Sequence, residues 1–177
     1  MGNDFRDLFG DWRPEDDGRS SSEGGTDSSR NPEKRPYREL NEKEVRIVNV
    51  FEVDTGNPLK NTTFVLLCDN YGREFKIFVM REVAVAISMA IENERPDRPY
   101  THDLMKTLLG RLGCRVDRVV IDDLWQETYY AKITISHGEE TFEIDSRPSD
   151  AMAMALRFRA PIYVAENILE ATQSEKE

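Results

Sequence analysis

Alternating apolar and polar positions begin near Val45 and predict three successive strands. Alternation is the period of a strand with one buried face, and a short continuous apolar run also fits a strand. Apolar side chains alternate at Val45, Ile47, Phe51 and Val53 and again at Phe75, Ile77 and Val79, with an apolar run at residues 64–68 between them. Turn-forming residues separate these runs at Thr55-Gly56-Asn57-Pro58 and at Asp69-Asn70-Tyr71-Gly72.

Two helices are predicted next. Residues 81–94 are apolar around nearly the whole helical circumference, which indicates a helix covered on several sides. Thr101 is placed to cap a second helix that ends at Gly113 and carries a conventional amphipathic stripe. The stripe consists of Leu104, Met105, Leu108, Leu109 and Leu112.

The rest of the chain completes an α+β domain. Three strands are predicted over residues 115–124, 128–136 and 140–145, then a helix that starts at Pro148, a short strand at 161–164 and a helix at 166–171. We therefore expect a mixed, mostly antiparallel sheet of six to seven strands with about four helices in one domain, residues 41–172. The helix after Pro148 is again apolar nearly all round, and two such helices suggest contacts between subunits of a homo-oligomer.

Residues 1–40 differ in composition from this domain. From Asp11 to Arg38 they are almost all Ser, Gly, Pro, Asp, Glu and Arg, so we expect a disordered tail, with a short disordered end at 173–177. One apolar stripe at helical spacing stands near the start, formed by Phe5, Leu8, Phe9 and Trp12. It indicates either a docking helix over residues 4–12 for a protein partner or a frayed end with a few apolar residues.

Charge and cysteine content narrow the classes of function and location. Lys and Arg total 24 against 34 Asp and Glu, a net charge of −10, which argues against tight storage of nucleic acid but not against transient contact with a nucleic-acid substrate. Cys68 and Cys114 lack metal-ligand or redox spacing and read as reduced core residues. With no signal peptide and no membrane-spanning run, the sequence predicts a cytoplasmic protein.

The first segment with candidate chemistry is Tyr100-Thr101-His102-Asp103. An imidazole and a carboxylate at the start of a helix lie at the positive end of its dipole, where free N–H groups also hold anions. The alternative is a simple helix cap with an acid in the first turn.

The second segment, Asp145-Ser146-Arg147-Pro148-Ser149-Asp150, is denser in polar residues. Asp145 ends a strand and Asp150 lies in the first turn of the next helix, so the two carboxylates are expected close together. With Arg147 beside them they are suited to hold Mg²⁺ or Mn²⁺ and a phosphate oxygen. The alternative is structural, with Ser146 or Ser149 as a helix cap and Arg147 paired with Asp145 or Asp150.

Three ordered motifs make the chain resemble the bifunctional nuclease family, whose members degrade both DNA and RNA with little sequence preference. They are residues 98–104, 144–151 and 160–164, and the likeness runs from about Val45 to Ala171. The resemblance implies the family's mixed α+β fold, often as an oligomer. It also places the family's residues at Thr101, His102, Asp103, Asp145, Arg147, Ser149 and Asp150.

One region departs from the family pattern. There the first helix opens with a glycine, then two variable residues, an acid, a small residue and often His or Glu. This sequence has Met80, Val83 and Val85 at the defining positions, with Glu82 one place early. One residue is about 100° of helix rotation, so Glu82 does not replace an acid at Val83, and catalysis by this chain is in question.

Two functions of different classes follow. The first is a metal-assisted phosphodiesterase of broad nucleic-acid specificity, with Asp103, Asp145 and Asp150 as metal-binding or base carboxylates and His102 as a proton donor or phosphate contact. Arg147 would then clamp a phosphate, and Thr101 and Ser149 would contact substrate. The second is a non-catalytic interaction or regulatory module that keeps the family fold.

Overall fold

A computed structural model describes residues 41–54, 56 and 62–174, and these residues form the predicted α+β domain. Its strands are β1 (Glu42–Val53), β2 (Thr62–Asp69), β3 (Glu74–Val79), β4 (Cys114–Trp125), β5 (Thr128–His137), β6 (Glu140–Ser146) and β7 (Ile162–Ala165). Its helices are α1 (Arg81–Glu92), α2 (Thr101–Arg111), α3 (Pro148–Phe158) and α4 (Glu166–Ser174). The numbers of strands and helices, and their order along the chain, agree with the prediction.

All these strands belong to one mixed sheet in the order β3-β2-β1-β7-β4-β5-β6. Every neighbouring pair is antiparallel except β4 and β7, which run parallel. The short strand β7 therefore joins the two antiparallel halves of the sheet, β1–β3 and β4–β6. A tight turn at Gly138 and Glu139 joins β5 to β6.

One face of the sheet forms the core. Val45, Ile162, Val119 and Ile133 are register partners across four adjacent strands and all are buried. Because side chains alternate between the faces of a strand, this row defines the core face. The cysteines also meet their prediction, since Cys68 and Cys114 are both free and buried.

Helix α3 lies in the interior of the fold. It contacts α1 on one side, α2 on another, and strands β4 and β5. Residues 151–155, Ala-Met-Ala-Met-Ala, are all at most 1% exposed. Packing within the chain therefore accounts for the apolar circumference of this helix, and no subunit contact is needed to explain it.

Helix α2 is buried less than its amphipathic stripe predicts. Of its stripe residues, Leu104 is 51% exposed, Met105 41% and Leu108 53%, and Leu112 just beyond the helix is 40% exposed. The one buried residue of the helix is His102. The apolar stripe therefore does not pack on the core, because α2 turns its His102 side toward α3.

A turn predicted from sequence has a buried carboxylate at its centre. Asp69 accepts hydrogen bonds from the backbone N–H groups of Tyr71 and Arg73, both at 2.9 Å, and from Arg73 Nε at 2.8 Å. Arg73 also donates to Glu166 of α4 at 2.6 Å, which fixes the last helix to the β2–β3 turn.

Some predictions concern residues outside this description. The tail, residues 1–40, and its docking helix at 4–12 lie outside the described residues, as do 175–177 and most of the turn at 55–58. Helix α4 continues to Ser174, beyond its predicted end at Ala171. Within the described part of the chain, no helix is long and apolar enough to cross a membrane.

Candidate functional site

The starts of two helices meet and bring the two polar segments together. His102 is the second residue of α2 and Asp150 the third residue of α3. His102 Nε2 lies 3.0 Å from Asp150 Oδ1, although 48 positions separate them along the chain. The packing of α2 on α3 thus joins the segments that the sequence marks separately.

Asp150 is the centre of a three-residue contact. Its Oδ1 faces His102, and its Oδ2 accepts a hydrogen bond from Arg147 Nε at 2.7 Å. The His102 side chain is 9% exposed and the Arg147 side chain 65%. A buried imidazole is therefore linked through one carboxylate to a guanidinium that faces solvent, and we call these three residues the His–Asp–Arg cluster.

Arg147 occupies the N-cap position of α3, with Pro148 as the first helical residue. No side chain caps this helix, since Ser146 Oγ donates to the Arg147 carbonyl instead. The predicted serine cap is therefore wrong, while the predicted pairing of Arg147 with Asp150 is confirmed. The terminal nitrogens of Arg147 make no hydrogen bond among the described residues, which leaves both for an anion.

Asp103 is held by a different arginine. Its Oδ1 accepts a hydrogen bond from Arg157 Nε at 2.6 Å, and its Oδ2 accepts the Tyr100 N–H at 3.1 Å. Burial alone would raise the pKa of the Asp103 carboxyl, but the hydrogen bond and charge of Arg157 outweigh burial and hold that pKa below its ordinary value. A carboxylate with both oxygens engaged is a weak proton acceptor.

Arg157 lies beside the cluster and was not predicted from the sequence. Its side chain is 6% exposed, and its NH1 group donates to the carbonyls of Ala86 in α1 and Ala153 in α3, at 3.2 and 3.1 Å. Arg157 therefore links α1, α2 and α3 beside the cluster. The one indication of this role in the sequence is that Arg157 is a positively charged residue in the last turn of an otherwise mostly apolar helix.

Thr101 and Ser149 lie next to the cluster in opposite environments. Thr101 is the exposed first residue of α2, and the N-cap is Tyr100, so the predicted cap at Thr101 is wrong. Ser149 is 9% exposed, in the first turn of α3. Of the two hydroxyl groups, that of Thr101 is the more open to solvent.

Asp145 lies apart from the other predicted carboxylates. It is an exposed residue of β6, paired in register with Lys132. Its neighbour Ile144 pairs with Ile133 of the core row, so Asp145 belongs to the opposite face of the sheet. Among the described residues, no group of three or more His, Cys, Asp or Glu side chains is arranged to hold a metal ion.

The departure from the family pattern in α1 falls on a core position. Val83 is 8% exposed, whereas Val85 is 41% exposed and Glu82 is also exposed. An acid at position 83 would be buried in the helical layer, and the valine in this chain packs there as an ordinary apolar residue.

Comparison with known proteins identifies the family. The profile of the bifunctional nuclease domain matches residues 65–177, more than half of the chain. The chain belongs to the bifunctional nuclease domain family. The match begins within β2 and includes β3 through α4, and so both helix starts that form the His–Asp–Arg cluster.

Relatives in this family come from bacteria and plants. An uncharacterized protein of Mycobacterium tuberculosis is 34% identical over 126 residues, 71% of this chain and 73% of the relative. Bifunctional nuclease 1 of Oryza sativa subsp. japonica is 33% identical over 95 residues, 52% of this chain but 29% of the rice protein. Bifunctional nuclease 1 of Arabidopsis thaliana is 29% identical over 99 residues, 54% of this chain and 30% of the plant protein.

Proposed function

We propose that this protein hydrolyses phosphodiester bonds in DNA and RNA with low sequence specificity. The observation that carries the proposal is the contact of His102 with Asp150, because it joins two polar helix starts in a chain of the bifunctional nuclease domain family. The names of the plant relatives support the same reaction class.

Each member of the cluster has a role suited to its exposure. Arg147 faces solvent and offers its terminal nitrogens to a phosphate oxygen. In this proposal Asp150 accepts a hydrogen bond from the Nε2–H group of His102. This contact fixes the orientation of the imidazole ring and leaves Nδ1 as the nitrogen without a proton. His102 then takes or gives a proton during the reaction.

The other predicted site residues receive narrower roles. Thr101 is exposed at the start of α2, where its hydroxyl group and the free N–H groups of the helix suit a substrate oxygen. Ser149 and Asp103 position the cluster, since one is buried in the first turn of α3 and the other is bound to Arg157. Asp145, exposed on the outer face, contacts only substrate that extends past the sheet edge.

The His–Asp–Arg cluster does not by itself offer a binding site for a divalent metal ion. The oxygens of Asp150 face His102 and Arg147, and those of Asp103 face Arg157 and the Tyr100 N–H, so the donor set as arranged does not fit a metal ion. We therefore assign no step to a metal. Dependence on Mg²⁺ or Mn²⁺ through Asp103, Asp145 and Asp150 stays a prediction, and it requires these carboxylates to exchange partners.

The second candidate function is a non-catalytic interaction or regulatory module with the family fold. Two observations favour it: Val83 fills a core position where the family carries an acid, and Asp103 serves as an ion-pair anchor. The net charge of −10 also limits affinity for nucleic acid. Under this function the His–Asp–Arg cluster only stabilises the contact between α2 and α3.

The test is degradation of single-stranded RNA and supercoiled plasmid by the full chain with Mg²⁺, Mn²⁺ or EDTA. We expect cutting that Asp150→Asn abolishes and that Arg147→Ala weakens mainly through a higher KM. Glu143→Gln is the matched control, because it removes an exposed carboxylate on the outer face of β6 that has no assigned role in the site.

Each result separates the candidates. Full activity in an Asp145→Asn, Asp150→Asn double variant contradicts the assigned site, and no cutting under any condition favours the non-catalytic module. EDTA sensitivity would show that the metal prediction holds and that the carboxylates rearrange. Circular dichroism of each variant excludes loss of fold as the cause.

Self-association and a cytoplasmic location remain part of the proposal. The outer face of β1–β3 carries a cluster of aromatic rings, with Phe51 and Phe64 stacked at 5.3 Å and Phe78 at 6.0 Å from Phe64. Phe51 is 40% exposed and Phe78 65%, which makes this face the place for contact between copies. Sedimentation of wild type beside Phe78→Ser measures it, and a wild type that stays monomeric contradicts it.

A further inference from the structure

The hairpin of β4 and β5 projects beyond the strands beside it. The pairing of β4 with β7 ends at Ile121, and the pairing of β5 with β6 ends at Ala131. We call residues 122–130 the β4–β5 arm, because among the described strands they pair only with each other. These pairs are Asp123 with Tyr130, Leu124 with Tyr129 and Trp125 with Thr128. At about 3.4 Å per residue the arm extends roughly 10 Å past the rest of the sheet.

The tip of the arm carries an exposed aromatic side chain. Trp125 is 62% exposed. The next two residues, Gln126 and Glu127, form the turn with φ angles of 47° and 62°. Such a turn is usually made with glycine, because a Cβ is disfavoured at positive φ. The tip therefore carries the carboxylate of Glu127 at a position where glycine would form the turn with less strain.

The arm is also acidic. Residues 122–130 include Asp122, Asp123 and Glu127 and no base. Lys132 of β5 pairs with the Asp122 carboxylate at 3.4 Å. The negative charges of Asp123 and Glu127 are therefore in excess near the exposed Trp125.

Helix α2 presents an apolar surface that the described residues leave largely uncovered. We call Leu104, Met105, Leu108 and Leu112 the α2 stripe; each is at least 40% exposed. With a rise of about 1.5 Å per residue, the stripe is roughly 12 Å long. A group of large exposed apolar side chains is typical of a surface that contacts another molecule.

The charges beside the α2 stripe are mainly positive. Between Arg98 and Arg111 the basic residues are Arg98, Lys106 and Arg111, all exposed. Asp103 is the only acid in that range, and Arg157 already neutralises it. An occupant with apolar and acidic side chains therefore fits this surface better than a basic one.

The arm and the α2 stripe have complementary chemistry, but they do not cover each other within one copy, since both stay exposed. Contacts between copies can join arm to arm, stripe to stripe or arm to stripe. An arm-to-arm contact brings acids together, and a stripe-to-stripe contact brings bases together. Only the arm-to-stripe contact joins two apolar surfaces that are flanked by unlike charges.

We propose that the β4–β5 arm of one copy packs through Trp125 on the α2 stripe of a second copy. Two copies that exchange arms form this contact twice about a two-fold axis, which closes the assembly. Because an aromatic side chain buries about 150–250 Å², one arm tip supplies less than the roughly 800 Å² per partner of a standard interface. The association is therefore reversible. It is independent of nuclease activity and separate from the aromatic face of β1–β3.

Trp125 provides a direct probe of this contact. The chain has one other tryptophan, Trp12, so Trp12→Phe in the full chain leaves Trp125 as the single reporter. As protein concentration rises, we expect the emission of Trp125 to shift to shorter wavelength and its quenching by acrylamide to weaken several-fold. Sedimentation velocity should show monomers giving way to dimers over the same range of concentration.

Substitutions in α2 locate the surface that shields the probe. In the Trp12→Phe chain, Leu104→Ser with Leu108→Ser should keep Trp125 at the emission and quenching of the dilute protein at every concentration. Met80→Ser with Val85→Ser is the matched control, because it removes apolar side chains that are 62% and 41% exposed at α1. This control should leave the shielding intact, and circular dichroism checks that each variant is folded.

A mixing experiment tests the two sides of the contact separately. Trp12→Phe with Trp125→Ser gives a silent chain, which has no tryptophan but keeps its α2 stripe. Added to the reporter chain that carries Leu104→Ser and Leu108→Ser, the silent chain should restore the shielding of Trp125. Lys106→Glu with Arg111→Glu in the silent chain should weaken this restoration several-fold, because the arm would then meet like charges.

Several results would overturn the proposal. One is a protein that stays monomeric with Trp125 equally exposed at every concentration. Another is shielding that persists in the α2 variant, or that Phe78→Ser abolishes while the α2 variant keeps it, which would assign the association to another face. A silent chain that fails to restore shielding contradicts the pairing of arm with stripe. Shielding by added RNA, with none on raising protein concentration, would assign the arm to nucleic acid instead.

Discussion

Helices α2 and α3 have the same length and similar polar starts, but the fold covers them very differently. Residues 151–155 of α3 are at most 1% exposed, while Leu104 and Leu108 of α2 are about half exposed. Each helix also contributes one side chain to the His102–Asp150 contact. The cluster therefore joins a helix fixed in the core to one that lies on the surface.

This difference shows that apolar content alone does not decide what is buried. The α2 stripe is as regular as any in the chain, yet the buried residue of that helix is a histidine. In this orientation His102 and Asp103 make polar contacts with α3, while Leu104 and Leu108 stay about half exposed. Four predictions test this comparison.

The largest effect is expected in the core of α3. Met154→Ala removes a side chain that is 1% exposed, and such truncations cost about 2–5 kcal/mol of unfolding free energy. Leu108→Ala in α2 is the control and should cost less than about 1 kcal/mol, as for a largely exposed side chain. Urea unfolding measures both, and equal losses would show that the two helices are equally buried.

The next effect concerns the arginine that joins the helices. Arg157→Leu leaves the Asp103 carboxylate without its ion-pair partner and the Ala86 carbonyl without a donor. We expect the unfolding free energy measured in urea to fall by about 1.5–3 kcal/mol, the range for hydrogen bonds to charged groups. Arg115→Leu is the control, because the side chain of Arg115 is 79% exposed, and it should leave the unfolding free energy nearly unchanged. A silent Arg157→Leu would show that this bond does not hold α2 in place.

Acid should weaken the same contact. The pKa of Asp103 lies below its ordinary value in the folded protein, so the unfolded chain binds more protons and stability falls as pH drops below about 4. Unfolding at several pH values should show a smaller acid-dependent loss in Arg157→Leu than in wild type. Glu166, whose pKa the hydrogen bond from Arg73 lowers, contributes equally to both proteins. Identical pH dependence would contradict the assignment to Asp103.

The smallest effect is expected at Thr101. Because Tyr100 occupies the N-cap position and Thr101 is exposed, Thr101→Ala should change the unfolding free energy by less than about 0.5 kcal/mol. A true cap would cost about 1 kcal/mol. Urea unfolding beside Thr107→Ala, which removes a hydroxyl group from an exposed position within the same helix, separates these outcomes. If Thr101→Ala alone lowers the unfolding free energy by about 1 kcal/mol, Thr101 caps the helix as the sequence predicted.

The sequence predicted most of the fold because its signals are local. Alternation in β1, β3 and β5, the apolar run of β2, the turn around Asp69 and the start of α3 at Pro148 each depend on a few neighbouring residues. The ion pair of Arg147 with Asp150 was predictable for the same reason, since both lie within one turn of a helix.

The contacts that form the site, in contrast, join residues that are far apart in the sequence. His102 meets Asp150 across 48 positions, and Asp103 meets Arg157 across 54. Asp145, expected beside Asp150, lies on the other face of the sheet although only five positions separate them. Only the tertiary structure, which packs α3 on the core face, shows that Asp145 and Asp150 lie on different sides of the sheet.

Local periodicity thus determined which segments become strands and helices, because backbone geometry fixes the spacing of side chains along each element. Only the tertiary structure decided that α3 lies in the interior, that α2 leaves its leucines in solvent and that His102 reaches Asp150. Those outcomes depend on how the strands and helices of the described domain pack around one core, since burying one helix limits the space left for the next.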